Sequence, residues 1–123
     1  MLQLRSMINV ADNSGAKLVQ MVGMPGRGNK KIARIGDKIT AVVKKGDPTG
    51  AVKEHEIVHA VVVRTRKEFR RKDGSYIRFD ENACVILDGS TELPKGSRIF
   101  GPVAREVKVL GYSKIASLSK EIY

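Results

Sequence analysis

Two apolar, β-branched runs frame the most basic part of this chain. Val61–Val63 and Cys84–Leu87 read as core strands, and the segment between them is loaded with positive charge. Arg64, Arg66, Lys67, Arg70, Arg71, Lys72 and Arg78 stand there against only Glu68 and Asp73 between positions 64 and 78. Asp73-Gly74 separates Phe69–Lys72 from Ser75–Phe79. An Asp-Gly pair between extended runs favours a two-residue hairpin turn with φ > 0 at both central residues. The expected object is a basic hairpin carried on core strands. Such an arm suits a polyanion far better than a small substrate.

The rest of the composition agrees with that partner. The formal net charge is +10 over 123 residues, expected to form one domain, and the hydrophobic content of 41% is enough to build a core. Cys84 is the only cysteine, which rules out an internal disulfide and a cysteine-based zinc site. It enters an apolar run and reads as a small buried hydrophobe rather than a reactive thiol. The first residues lack the apolar core of a signal peptide, and no apolar run approaches the ~20 residues of a membrane span. A soluble cytoplasmic protein without a membrane partner is expected. Aromatic residues are few: three Phe, three Tyr and no Trp. Proteins that splay single-stranded RNA stack its bases on aromatic rings. This composition favours gripping the phosphates and shape of folded RNA instead.

In chain order, Met7–Ala11 reads as a strand and Asp12-Asn13-Ser14-Gly15 as a turn. Lys17–Met24 and Asp37–Lys44 alternate as strands, the latter holding Ile39, Ala41 and Val43 on one parity. Pro25–Arg34 includes Arg27, Lys30, Lys31 and Arg34 with no acidic residue. Gly23 and Gly28 have the spacing of a phosphate-binding loop, but Asn29 occupies the lysine position, so a nucleotide loop is excluded and a basic RNA-touching loop is expected. His55 and His59 are four apart, yet Ile57-Val58 and Ala60–Val63 argue for a strand. Four residues of strand span roughly 13 Å, so these histidines do not share a metal ion. Pro102 suits a first helical turn, Val103, Glu106, Val107 and Leu110 form a helical stripe, and Gly111 is a stop. Tyr112–Leu118 can form a second helix burying Ile115. Short strands, glycine-bearing turns and late helices suggest a small closed or nearly closed β-barrel.

Several segments together resemble the bacterial ribosomal protein L-fourteen family of the large subunit. They are Val10–Ala16, Ile35-Gly36-Asp37, Ala60–Thr65, Asp73–Asn82 and Arg98–Glu106, and the likeness runs nearly end to end. The resemblance implies a mainly β fold: a five-stranded β-barrel with a projecting β-ribbon and a helical part at about 102–119. It implies a structural role in binding large-subunit rRNA, next to ribosomal proteins three and nineteen, with no catalysis and no cofactor. It also implies intersubunit bridges to small-subunit rRNA through Lys44–Thr49, including Lys44 and Lys45, and through Ala116–Ser119. Ser97, Arg98 and Lys114 match a surface for the ribosome silencing factor, with Ser97 in place of the usual threonine. Lys53-Glu54-His55-Glu56 and Cys84 depart from the family pattern.

Two other readings compete. One is a free-standing RNA-binding regulator on a similar barrel, which shares the basic arms. The other is a hydrolase using Ser14 or Cys84 with His55 or His59, for which no motif gathers nucleophile, base and oxyanion donors.

Overall fold

The computed structural model describes residues 2–25, 32–50, 52–89 and 93–123. Strands β1 (Met7–Val10), β2 (Ala16–Gly23), β3 (Lys38–Gly46), β4 (Ile57–Arg64) and β7 (Ala83–Ile86) close into a barrel in the order β1-β2-β3-β4-β7. Neighbours run antiparallel except β1 and β7, whose parallel pairing of Asn9 with Ala83 and Val10 with Cys84 seals the cylinder. Closure leaves the barrel strands without a free edge. Between β4 and β7, β5 (Phe69–Arg70) and β6 (Tyr76–Ile77) form a separate two-stranded sheet. Helices α1 (Arg105–Val109) and α2 (Ser113–Leu118) follow.

Burial explains why some strands alternate and others do not. β3 shows the one-face pattern: Ile39, Ala41 and Val43 point inward, with Thr40 and Val42 only half-buried between them. β4 and β7 are covered on both faces. Ala60, Val62, Cys84 and Ile86 fill the barrel with Ile8, Val19 and Met21. Val61, Val63, Ala83 and Val85 face outward into a second core with Val103, Val107, Tyr112 and Ile115. Strands buried on both faces read as continuous apolar runs, which is why these two stood out in the sequence. Each fully buried valine stabilises by roughly 1.5–3 kcal/mol. Cys84 is 0% exposed inside the barrel, and burial pushes its thiol far up from the usual range.

Three local expectations need correction. First, the hairpin turn is longer than two residues. Arg71 N–H donates to Ser75 O and Gly74 N–H to Arg71 O, and Gly74 alone takes φ +88°, without Asp73. This is a three-residue loop, Lys72-Asp73-Gly74, of the kind that ends in a left-handed glycine. The Asp73 carboxylate accepts from Ser75 Oγ (2.6 Å) and Ser75 N–H (3.0 Å), which holds the loop from within. Second, the first helix begins at Arg105, not Pro102. Val103 stays extended because its N–H donates to Glu121 O and its carbonyl accepts from Tyr123 N–H; Ala104 N–H donates to Val63 O. Third, His55 precedes β4 with φ +66°, so only His59 lies on the strand.

Candidate nucleic-acid interface

The hairpin grows from a bulge. Val62 pairs with Cys84, but Arg64 pairs with Ala83, so β4 carries one extra residue there. A bulge re-aims the side chain that follows it, and Arg64 turns outward from the barrel on the side of the second core. There it is 5% exposed. Its Nη1 donates to Phe100 O and Pro102 O, both at 2.9 Å, and its Nη2 pairs with Glu81 Oε1 at 2.9 Å. Gly101 lies against this guanidinium with φ +82°; a Cβ there would sit 2.5 Å from Nη1. Only a residue without a side chain permits that approach. Arg64 is therefore a scaffold group in this structure, buried and bonded to the fold where its sequence position suggested a solvent-facing cation.

Arg71 is the second arginine committed inward. Its Nε and Nη2 grip the Glu106 carboxylate at 2.9 and 3.2 Å, and Nη2 also donates to Tyr123 O. Its side chain keeps only 14% of its exposure. The bidentate pair ties the hairpin to α1. Phe69, Ile77 and Phe79 rest on the second core, so the root of the hairpin is docked while residues 72–76 are exposed.

The other hairpin cations face solvent. Arg66, Lys67, Arg70, Lys72 and Arg78 are all exposed. Neutral contacts fix the backbone beneath them: Arg66 N–H donates to Asn82 Oδ1 at 2.8 Å, and Thr65 Oγ1 donates to Lys67 O at 3.0 Å. Hydrogen bonds from the Ser75 hydroxyl and N–H hold the Asp73 carboxyl below its usual range, so it stays ionised at the tip.

A second group of predicted residues gathers around the turn Asp12–Gly15. Asp12 is buried; its carboxylate accepts from Ser14 Oγ (2.6 Å), Ser14 N–H (3.2 Å) and Ile86 N–H (2.9 Å). Burial raises its pKa against the lowering effect of those bonds. Asn13 Oδ1 accepts from the N–H groups of Ser97 (2.8 Å) and Arg98 (3.0 Å), and its Nδ2 donates to Ser97 Oγ (3.1 Å). Gly15 O accepts from Asp47 N–H and Ser14 O from Val52 N–H. One turn thus positions the loop after Lys44 and Lys45, both exposed, and the segment bearing Ser97 and Arg98, also exposed. Ser97 and Lys114 line one cleft with Pro94 and Leu118. Within Ala116–Ser119, Ala116 is turned into the core and Ser117 is exposed. The hydrolase reading finds no support: the Ser14 hydroxyl is buried on Asp12 and Cys84 is sealed in the barrel.

Arg34 is exposed, with its N–H donating to Asp37 Oδ2 at 2.8 Å. Arg27, Lys30 and Lys31 lie outside the described residues. Among the described residues no group of three His, Cys, Asp or Glu side chains could hold a metal ion, and no helix is long and apolar enough to cross a membrane. Arg105 was not anticipated as a site residue. It is exposed on α1 and lines the same cleft as Arg71 and Arg78. It is far from the hairpin in sequence, so no local charge run flags it.

The family pattern described as Ribosomal protein L14p/L23e matches residues 1–123. The chain is 51% identical over 123 residues to the large ribosomal subunit protein uL14 of Petrotoga mobilis, covering 100% of both chains. It is 52% identical over 122 residues to that of Aquifex aeolicus, covering 99% of each.

Proposed function

The chain belongs to the ribosomal protein L14p/L23e family, and we propose that in the large ribosomal subunit its exposed cations hold folded rRNA. Members of this family are structural constituents of the large subunit, so the chain is a ribosomal structural protein and not an enzyme. The observation that carries the binding reading is the division of charge on the hairpin. Arg64 and Arg71 are spent on anchoring the hairpin to the fold, and Arg66, Lys67, Arg70, Lys72 and Arg78 are left in solvent on the backbone those anchors hold. Cations on an anchored backbone, without an acidic partner among the described residues, suit phosphates, which arginine can grip bidentately and lysine as a point charge. Arg34, Lys44 and Lys45 extend the reading, and Arg27, Lys30 and Lys31 join it on sequence alone.

Finer assignments belong to the same proposal. Lys44–Thr49 and Ser117 meet small-subunit rRNA at intersubunit bridges. Ser97, Arg98 and Lys114 receive the ribosome silencing factor; the shared cleft of Ser97 and Lys114 supports this. Ribosomal proteins three and nineteen lie alongside. The solvent side of the barrel, where Met7, Val22 and Ile57 are exposed, supports a protein neighbour.

Sedimentation tests the proposal. The endogenous protein should remain at one copy per large subunit after a high-salt wash. Arg70→Ala with Arg78→Ala should reduce its incorporation without unfolding it. A free pool with none in washed subunits would overturn the proposal and favour a free-standing RNA-binding regulator.

A further inference from the structure

The cleft between β6 and the segment ending at Tyr123 gathers aromatic rings that the sequence leaves scattered. Tyr76, Phe79 and Tyr123 line it together with Arg71, Arg78 and Arg105. Half of the chain's six aromatic residues therefore meet half a dozen cation-bearing and apolar neighbours in one place, although residues 79 and 123 are remote in sequence. Its volume is about 710 Å³, inside the range of roughly 300–1,000 Å³ typical of small-ligand sites.

Local structure explains the exposure of these rings. On β6, Ile77 turns to the second core with its partner Phe69, so strand alternation turns Tyr76 the opposite way. Tyr76 is 65% exposed and Tyr123 55%. Neither ring is needed to fill the core. Yet Tyr123 is held in place: its N–H donates to Val103 O, its carbonyl accepts from Arg71 Nη2, and its hydroxyl donates to Glu121 Oε2 at 3.0 Å. Arg78 and Arg105 are exposed at the same cleft. Exposed rings beside cations, one of them held by its hydroxyl and backbone, suit an unstacked nucleotide. The base lies on a ring face and the phosphate meets a guanidinium.

We propose that this cleft receives one unstacked nucleotide of the bound rRNA, its base stacking on Tyr76 or Tyr123 and its phosphate meeting Arg78 or Arg105. The inference rests on the rRNA-binding reading above and deepens it. It also qualifies the expectation, drawn from the scarcity of aromatics, that this composition favours gripping phosphates and shape over stacking bases.

The test uses the full chain and a large-subunit rRNA transcript, with affinity measured across a salt series. Tyr76→Ala and Tyr123→Ala are compared with wild type and with Tyr76→Phe, and thermal unfolding confirms that each variant folds. At least one alanine variant should lose roughly five- to hundredfold in affinity at an unchanged salt slope, and Tyr76→Phe should bind as wild type. Ultraviolet irradiation should cross-link Tyr76 or Tyr123 to a single nucleotide. Wild-type affinity in both alanine variants, or a changed salt slope with no tyrosine cross-link, overturns the inference while leaving the broader reading intact. If wild type itself shows no salt-dependent binding, the broader reading fails first.

Discussion

The hairpin region and the turn at Asp12–Gly15 solve one problem in two ways. Both hold exposed cations on a backbone that must not drift. The hairpin region uses charge to anchor itself: Arg64 clamps Phe100 O, Pro102 O and Glu81, and Arg71 clamps Glu106. The turn region uses uncharged donors and one buried carboxylate: Asn13 holds Ser97 and Arg98, and Asp12 holds Ser14 and Ile86. The difference teaches that an arginine count overstates the charge available to a partner wherever arginines also serve as struts. In the turn region Lys44, Lys45 and Arg98 are exposed, and the holding is done by neighbours.

The largest effect should come from the hairpin strut. Arg64→Ala leaves two carbonyls without their donor and a void beside Gly101, so unfolding in urea should show a loss of about 2–4 kcal/mol. A loss below half a unit would mean that Arg64 is not a strut. Next comes the strut of the turn. Asp12→Ala should cost about 1–3 kcal/mol. Its pH dependence has a definite sign. Burial raises the folded-state pKa above the ordinary 3.8, so the fold favours the protonated acid. The stabilisation from that proton is full below 3.8 and is lost as pH rises through the raised value. The gap between wild type and Asp12→Ala should therefore be wider in acid than at neutral pH, and a gap that narrows in acid would contradict this assignment.

Smaller effects on stability sharpen the contrast from the other side. Arg70→Ala and Arg78→Ala should each change stability by less than about 0.5 kcal/mol, while each makes the salt slope of rRNA binding shallower by roughly one unit. A strut would show the reverse. The smallest effect belongs to Asp73→Ala at the hairpin tip. The Asp73 carboxyl is held below 3.8, so its contribution is present above 3.8 and lost as pH falls through its lowered value. Stability measured down an acid series should be flatter in that range for the variant; an identical profile would show that Ser75 does not order the loop.

Much of this fold was legible because burial writes itself into the sequence. The alternation of Ile39, Ala41 and Val43 and the unbroken Ala60–Val63 run record one covered face and two. The basic hairpin was legible from its charge run. What stayed hidden depended on contacts between distant segments. The start of α1 was misplaced because the pairing of Val103 with residues 121 and 123 is invisible locally. Arg64 and Arg66 look alike in the sequence, and only the contacts of Arg64 with Phe100, Pro102 and Glu81, all remote in the chain, separate a strut from an exposed cation. Tyr76, Arg105 and Tyr123 converge through the same long-range packing.

The most direct test of this division of labour is the salt dependence of binding to a large-subunit rRNA transcript by the triple variant Arg66→Ala, Arg70→Ala, Arg78→Ala. The account predicts a log–log slope shallower than wild type by roughly 2 to 3, with the unfolding midpoint retained. An unchanged slope in a folded triple variant would contradict it.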